Sequence, residues 1–254
     1  MRLLHLSDLH FGTELKEARD ALTQSLNDLH ADFIVISGDF TQIGSQEEFE
    51  SAQAFIKALE KPVLTVPGNH DISRFNWAER FFNPYHKYRH YINASLSTEW
   101  HSDKVMVVGI NSARRVLPHW NWANGAISDT QLDYLEEKFK NVKNTYKVCV
   151  FHHPVHKAVD SPLRVTVFGA EKAMKKIDEL GIDLVLTGHV HHASVTTVNK
   201  VVYCSASTAI SHRTRDQSNG FNLIEFRETE FEITHYVYKN AHFEKSTSSI
   251  HKNL

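Results

Sequence analysis

The sequence predicts an α/β fold of two packed sheets in a single domain, and three features carry that prediction. Short apolar runs alternate with longer amphipathic segments up to about residue 193. Beyond that point apolar runs follow one another across short polar turns, with no helical pattern between them. No linker, repeat or low-complexity stretch divides the chain, and 254 residues suffice to bury one sizeable core. The first pattern is that of β–α–β units in a largely parallel sheet, the second that of antiparallel strands.

Taken in order, LLHL (3–6) and FIVIS (33–37) read as buried strands, with ELKEARDALTQSLNDLH as the helix between them. VLTV (63–66) follows the helical EEFESAQAFIKAL. VMVVGI (105–110) and KVCVF (147–151) flank a helix whose start, Ser128 with Gln131, fits a capping box. DLVLT (183–187) follows FGAEKAMKKIDELG, which closes on Gly181 as a helix C-terminus does. SVTTV, VVYCS, FNLIEF and FEITHYVY then predict an antiparallel second sheet. The segment 72–100 breaks the rhythm: it is rich in Phe, Trp and Tyr, carries Arg74, Arg80, Lys87 and Arg89, and reads as a helical insertion. Residues 1–240 form the expected domain, and 241–254 a polar, loosely attached tail.

Composition excludes several functions. The 28 Lys and Arg nearly balance 30 Asp and Glu, so no basic footprint for nucleic acid or anionic membrane exists. No window approaches the ~18 uninterrupted apolar residues of a membrane span, and the first residues lack a signal-peptide core. Cys149 and Cys204 each lie in an apolar run, as buried free thiols do, and a reducing cytoplasm is the expected location. Histidine is the outlier, at 18 residues.

Those histidines fall where chemistry is expected. Each of five apolar runs is followed at once by metal-competent side chains: Asp8 and His10, Asp39, Asn69 and His70, His152 and His153, and His189, His191 and His192. Ligands of an open α/β sheet bind at the carboxyl ends of its strands, so the five clusters converge on one edge. Oxygen and imidazole donors without thiolate suit Mn, Fe, Zn or Mg, and they are too many for a single ion. Two ions about 3.5–4 Å apart, sharing one carboxylate, would use them to clamp a phosphoryl oxygen and generate a hydroxide nucleophile. Gly38, Gly68 and Gly188 each precede one of these residues at a tight strand exit.

DLH (8–10), GDFT (38–41), GNHD (68–71), HHP (152–154) and GHVH (188–191) resemble, in order, the five motif blocks of the calcineurin-like metallophosphoesterase superfamily. The resemblance spans about residues 1–195 and implies a four-layer αββα sandwich of two mixed sheets flanked by helices, with two divalent or trivalent metal ions. It implies that Asp8, His10 and His191 hold one ion, that Asn69, His152 and His189 hold the other, and that Asp39 bridges them. It makes His70 the residue that works on the phosphate, as general acid or transition-state stabiliser. Asp71 is expected to orient His70 or cap the next segment, and His153 to point away from the metals.

Among superfamily members the chain looks most like the cyclic nucleotide phosphodiesterase group, which implies a small phosphodiester substrate such as a 3',5'-cyclic nucleotide. Phosphomonoesters, glycerophosphodiesters and nucleotide sugars are alternatives; a nuclease or a non-catalytic metal-binding interaction module is a further departure. His70 stands where the hydrolases of the lipid A precursor typically carry arginine, and Gln42 stands where purple acid phosphatases carry tyrosine. Arg74, four residues after His70, is the expected substrate contact, with Phe75 or Trp77 stacking on a base; the loops around His156 and Arg213 are the other places for specificity. A monomer or homodimer is expected.

Overall fold

Strand β1 (Arg2–Leu6) is apolar on both faces because both are covered: Leu3 packs between the two sheets, while Leu4 and Leu6 pack under helices. The same division holds throughout the computed structural model, which describes residues 1–156 and 165–252. From β1 the chain runs through α1 (Lys16–Asp28), β2 (Phe33–Ile36), α2 (Gln46–Lys57) and β3 (Val63–Thr65). Next come α3 (Trp77–Phe82), α4 (His86–Tyr91), β4 (Thr98–His101), β5 (Val105–Gly109) and the short β6 (Gly125–Ala126). Then follow α5 (Asp129–Phe139), β7 (Tyr146–Val150), the short β8 (Val167–Phe168), α6 (Ala170–Glu179) and β9 (Leu184–Thr187). Five strands end the fold: β10 (Ser194–Val198), β11 (Val201–Ser205), β12 (Gly220–Phe226), β13 (Glu230–Lys239) and β14 (His242–Lys252).

Two six-stranded mixed sheets result, with orders β14-β13-β12-β1-β2-β3 and β10-β11-β9-β7-β5-β4. Val35, Leu64, Val107, Val148, Leu186 and Ile224 fill the layer between them. Helices α1 and α2 cover the outer face of the first sheet through Leu22, Leu26, Phe49 and Phe55. On the outer face of the second, α5 and α6 insert Leu132, Leu135, Phe139 and Ile177 at helical spacing. This is the expected helix–sheet–sheet–helix arrangement. Gln131 Oε1 accepts from Ser128 N at 3.1 Å at the start of α5, and Gly181 adopts φ +62° after α6. Both cysteines are buried and unpaired.

Two expectations about the chain's second half need correction. The strands after residue 193 do not form a sheet of their own: β10 and β11 extend the second sheet beside β9, and β12 to β14 extend the first beside β1. VVYCS is buried at every position because β11 lies in a sheet interior, parallel to β9, where both faces need apolar cover. The segment 206–219 therefore crosses from one sheet to the other. Residues 242–252 are not a loose tail but strand β14, paired antiparallel with β13 from Lys239 and His242 to Glu230 and Lys252. Polar composition hid this strand because it is a sheet edge, where only Phe243 is buried. Residues 253 and 254 lie outside the described residues.

The insertion 72–100 contains α3, α4 and β4, and it is divided in character. Tyr88 is fully buried with its hydroxyl 2.8 Å from Thr65 Oγ1, and Trp100 stacks on Phe33 at 4.1 Å. Lys87 is tied down structurally, donating to Gly44 O, Ser73 Oγ and Glu79 Oε2. By contrast Phe75, Trp77 and Phe82 are 68 %, 57 % and 88 % exposed.

Candidate metal centre

The carboxyl ends of β1, β2 and β3 in one sheet face those of β7 and β9 in the other, so the centre straddles both sheets at a shared edge. The turns there are unusual. Asp8, His10, Asp39, His189 and His191 all have φ between +49° and +71°, five of the nine non-glycine residues with positive φ among those described. Left-handed backbone costs an L-residue roughly 1–2 kcal/mol, so it persists only where surroundings impose it. Here sequential backbone bonds do so: Asp8 N donates to Gly38 O at 3.0 Å, and His10 N to Asp39 O at 3.0 Å.

Glycine makes the close approach feasible at two of these exits. A Cβ on Gly68 would lie 2.1 Å from Asp39 Oδ1, and one on Gly188 would lie 1.8 Å from Ser7 Oγ and 2.4 Å from Asp8 Oδ2. These glycines are needed for the space they leave to the neighbouring carboxylates more than for backbone freedom.

Asp8, His10, Asp39 and His191 form one group whose candidate donor atoms all lie within 4.8 Å of one another. His10 Nε2 and His191 Nε2 are 3.0 Å apart, and Asp8 Oδ1 lies 3.1 Å from His191 Nε2. His152, His153 and His189 form a second group. Asn69 Oδ1 is 2.9 Å from His189 Nδ1, which lies 3.3 Å from His152 Nε2. Asp39 stands between the two: its Oδ2 is 3.7 Å from His10 Nε2 and 3.2 Å from His152 Nε2. His153, expected to point away, has its ring 4.5 Å from that of His189. Both of its nitrogens are engaged, Nδ1 with Ser112 Oγ at 2.8 Å and Nε2 with Ala123 O at 3.0 Å.

The ring orientations follow from backbone carbonyls. His10 Nδ1 faces Thr41 O, His152 Nδ1 faces Ser37 O and His191 Nδ1 faces Arg213 O, at 3.3, 2.8 and 2.8 Å. A carbonyl only accepts, so each Nδ1 carries the proton and each Nε2 turns a lone pair inward, the tautomer that metal-binding histidines use. Asp8 Oδ1 is fully buried and has no hydrogen-bond partner. A buried, unpaired carboxylate oxygen among inward-facing imidazole lone pairs fits a cation and little else.

Electrostatics agree. Burial would raise the Asp8 and Asp39 carboxyls, but neighbouring histidines, above all His191 for Asp8 and His152 for Asp39, hold both well below the usual carboxylate range. Burial works against a charge on His152 too, yet Asp39 and Asp8 push it up to about 9. Burial, aided by His152, takes His189 down to about 3, and burial takes His10 down to about 4 despite both carboxylates. The buried carboxylates thus favour positive charge at His152 and, through Asp8, at His191, a charge that a metal ion would supply instead.

His70 sits on η1, the 3₁₀ turn Asn69–Asp71 after β3. Its Nδ1 donates to Gln42 O at 2.6 Å and its Nε2 faces Arg213 Nη1 at 3.1 Å. The carbonyl of Gln42, not Asp71, orients the ring. Asp71 instead closes the turn, accepting from Gly68 N at 2.8 Å and Thr41 N at 3.0 Å. Beside His70 opens a cavity of about 370 Å³ lined by Gln42, Arg74, Trp77, Arg80 and Trp122. Arg74 is exposed there, its guanidinium 5.6 Å over the Phe75 ring. Arg80 is buried against Trp122 at 5.1 Å, and Trp77 meets Trp122 edge-on at 5.8 Å. His156 packs on Tyr203, and His192 is held by Asp216 and Gln217.

Gln42 and Trp122 are absent from the candidates that sequence alone supplies, and Arg213 enters there only through its loop, as a place for specificity, not as a neighbour of His70. Gln42 lies in the same GDFTQIG turn as Asp39, and Trp122 in a loop, LPHWNWANG, whose two tryptophans are the only sequence signal it offers.

Two facing sheets with helices outside and a carboxylate–histidine cluster at their shared edge define a metal-dependent phosphoric ester hydrolase. Residues 1–193 match the family model described as calcineurin-like phosphoesterase, and the chain belongs to that family. It is 26% identical over 180 residues to a probable glycerophosphodiester phosphodiesterase, GpdQ, of Arcobacter nitrofigilis, covering 70% of this chain and 63% of that protein. To a 3',5'-cyclic-nucleotide phosphodiesterase of Nostoc sp. it is 23% identical over 228 residues, 84% of this chain and 76% of that one. In fold it is similar to a dimetal phosphatase from Danio rerio, with TM-score 0.75 at 13% identity over 100% of this chain and 99% of the other. Among the described residues no helix is long and apolar enough to cross a membrane.

Proposed function

We propose that this protein hydrolyses a small phosphodiester, with a 3',5'-cyclic nucleotide as the favoured substrate, at a centre of two metal ions drawn from Mn, Fe, Zn and Mg. Asp8, His10 and His191 hold one ion, Asn69, His152 and His189 the other, and Asp39 serves both. The observation that carries this reading is Asp39 Oδ2 lying within 3.7 Å of His10 Nε2 and 3.2 Å of His152 Nε2, one from each ligand set. When bound, such ions polarise a phosphoryl oxygen and lower the pKa of water toward neutrality.

The remaining work falls to side chains of this chain. Gln42 O accepts from His70 Nδ1 and so aims Nε2 at the phosphate, where a second proton, carried on Nε2, would be hydrogen-bonded or passed to the departing oxygen. Trp77 and Trp122 meet edge-on beside His70, which supports a substrate whose non-reacting part is a flat base. Arg74, at the open side of the same cavity, contacts a hydroxyl or distal oxygen. A second reading, hydrolysis of a glycerophosphodiester, has the name of the Arcobacter relative in its favour.

The test is turnover of bis(p-nitrophenyl) phosphate by Mn-reconstituted protein, followed by a panel of cyclic nucleotides and glycerophosphodiesters. Hydrolysis abolished by EDTA and fastest on a cyclic nucleotide is expected. Preference for glycerophosphodiesters would favour the second reading, and no metal-dependent hydrolysis of any ester would overturn both.

A further inference from the structure

The segment between β11 and β12 that carries the chain from one sheet to the other passes directly over the candidate centre, and it is held rigidly. Thr208 Oγ1 donates to Asp8 O at 2.6 Å, Asn219 Nδ2 donates to Ser211 O at 2.8 Å, and Leu15 N donates to Ile210 O at 2.8 Å. Arg213 follows, its own carbonyl accepting from His191 Nδ1 at 2.8 Å. Its side chain therefore springs from backbone anchored to the cluster itself.

That side chain reaches inward to His70. Nη1 lies 3.1 Å from His70 Nε2 and 3.0 Å from Gln42 Oε1. Among the described residues no carboxylate pairs with Arg213, and its Nε and Nη2 make no hydrogen bond, although most other arginines near the centre are engaged: Arg80 and Arg114 bond to backbone carbonyls. A half-buried guanidinium aimed at an imidazole, with most of its donors unused and no anion beside it, is a binding site for an anion from outside.

We infer that Arg213 is a catalytic residue, binding a non-bridging oxygen of the reacting phosphoryl group; this rests on the phosphoester reading above. The planar fork suits phosphate, and fixed donors near the reacting centre are worth most where negative charge accumulates. Before substrate arrives, the guanidinium rests on His70 Nε2 and Gln42 Oε1. Its transfer to the phosphate frees the His70 Nε2 lone pair to take up a proton, which it can then pass to the departing oxygen, so one movement both binds the substrate and releases the histidine. Arg74, exposed and stacked along Phe75, is left to the non-reacting part of the substrate.

The experiment compares wild type with Arg213→Gln, Arg213→Lys and Arg213→Ala, each Mn-reconstituted with metal content measured. Two readouts are taken: kcat and KM on bis(p-nitrophenyl) phosphate, and affinity for inorganic phosphate by calorimetry. Arg213→Gln should keep both metals, lose roughly 10²–10³ in kcat/KM and bind phosphate at least about tenfold more weakly. Lysine should recover only part of the loss, and added guanidinium should partly rescue Arg213→Ala. Unchanged phosphate affinity in Arg213→Gln, or metal loss in proportion to activity loss, overturns the inference. A wild type that binds phosphate through Arg213 but hydrolyses no ester overturns the functional reading alone.

Discussion

Gly188→Ala isolates the packing on which the centre depends. The added methyl carbon would sit 1.8 Å from Ser7 Oγ and 2.4 Å from Asp8 Oδ2, against a normal contact of roughly 3.4 Å or more. Ser7 and Asp8 have no exposed surface, so neither can swing aside into solvent. Relief requires the end of β1 to move by about 1.5 Å, and overpacking of this kind costs roughly 1–3 kcal/mol or more. The functional loss should be larger, because a displacement near 1 Å in a reacting constellation costs on the order of 10² in rate. Gly181→Ala is the control: it has φ +62° but nothing within 4 Å, so it carries only the conformational cost, roughly 1–2 kcal/mol, far from the centre. Metal content by mass spectrometry, thermal unfolding and kcat/KM on bis(p-nitrophenyl) phosphate are measured on both. Gly188→Ala should lose metal and at least about 10² in kcat/KM, while Gly181→Ala loses stability alone. A Gly188→Ala protein that keeps two metals and wild-type turnover would refute the reasoning.

Other expectations follow from single contacts. Asp39→Asn should reduce metal content toward one ion or none; two ions with normal turnover would remove Asp39 from the shared position. His70→Ala should retain both metals while kcat falls by roughly 10²–10⁴, and metal loss in step with activity would make it a ligand instead. Trp77→Ala and Arg74→Ala should each raise KM for a cyclic nucleotide and leave bis(p-nitrophenyl) phosphate nearly unaffected; equal effects on both would reduce the insertion to a packing lid. His5, buried and hydrogen-bonded to Ser37 Oγ at 2.9 Å, is taken down by burial to about 3, so it is neutral in the fold and titrates near its ordinary value when unfolded. Its contribution is thus intact above pH ~6.5 and lost as pH falls toward 3, at about 1.4 kcal/mol per unit. Urea unfolding of metal-free protein between pH 6.5 and 4.5 should show this acid slope, shallower in His5→Gln; equal slopes would place the titration elsewhere.

Strand exits were the legible part of this sequence. Asp8, Asp39, Asn69, His152 and His189 follow apolar runs directly, and a run that must be buried on both faces can end only at a sheet edge, so order along the chain translated into convergence in space. Sheet membership was less legible. VVYCS and FNLIEF have the same local pattern yet enter different sheets, because the partner of a strand is chosen by long-range packing and not by its own periodicity. Strand β14 was hidden for a related reason: an edge strand with one buried residue, Phe243, leaves almost no apolar alternation to read. The loop of Arg213 could be named from sequence as a place for specificity, but its contact with His70 could not, since it spans 143 positions of sequence.

The division between what activates and what selects has a structural basis. Every candidate ligand stands on a turn whose preceding strand is locked in the inter-sheet core, and the left-handed exits and buried carboxylates are tolerable only because that core over-determines them. Trp77 and Trp122 belong to segments outside the sheets, the insertion and the loop before β6, and their rings meet edge-on at 5.8 Å. Arg80 joins these two segments: its Nε donates to Arg115 O, its Nη1 donates to Ser73 O, and its guanidinium covers Trp122. The shape of the cavity beside His70 therefore depends on a contact that touches no ligand residue. Changes there can retune which ester is accepted without disturbing the Asp39-centred cluster that acts on the phosphate.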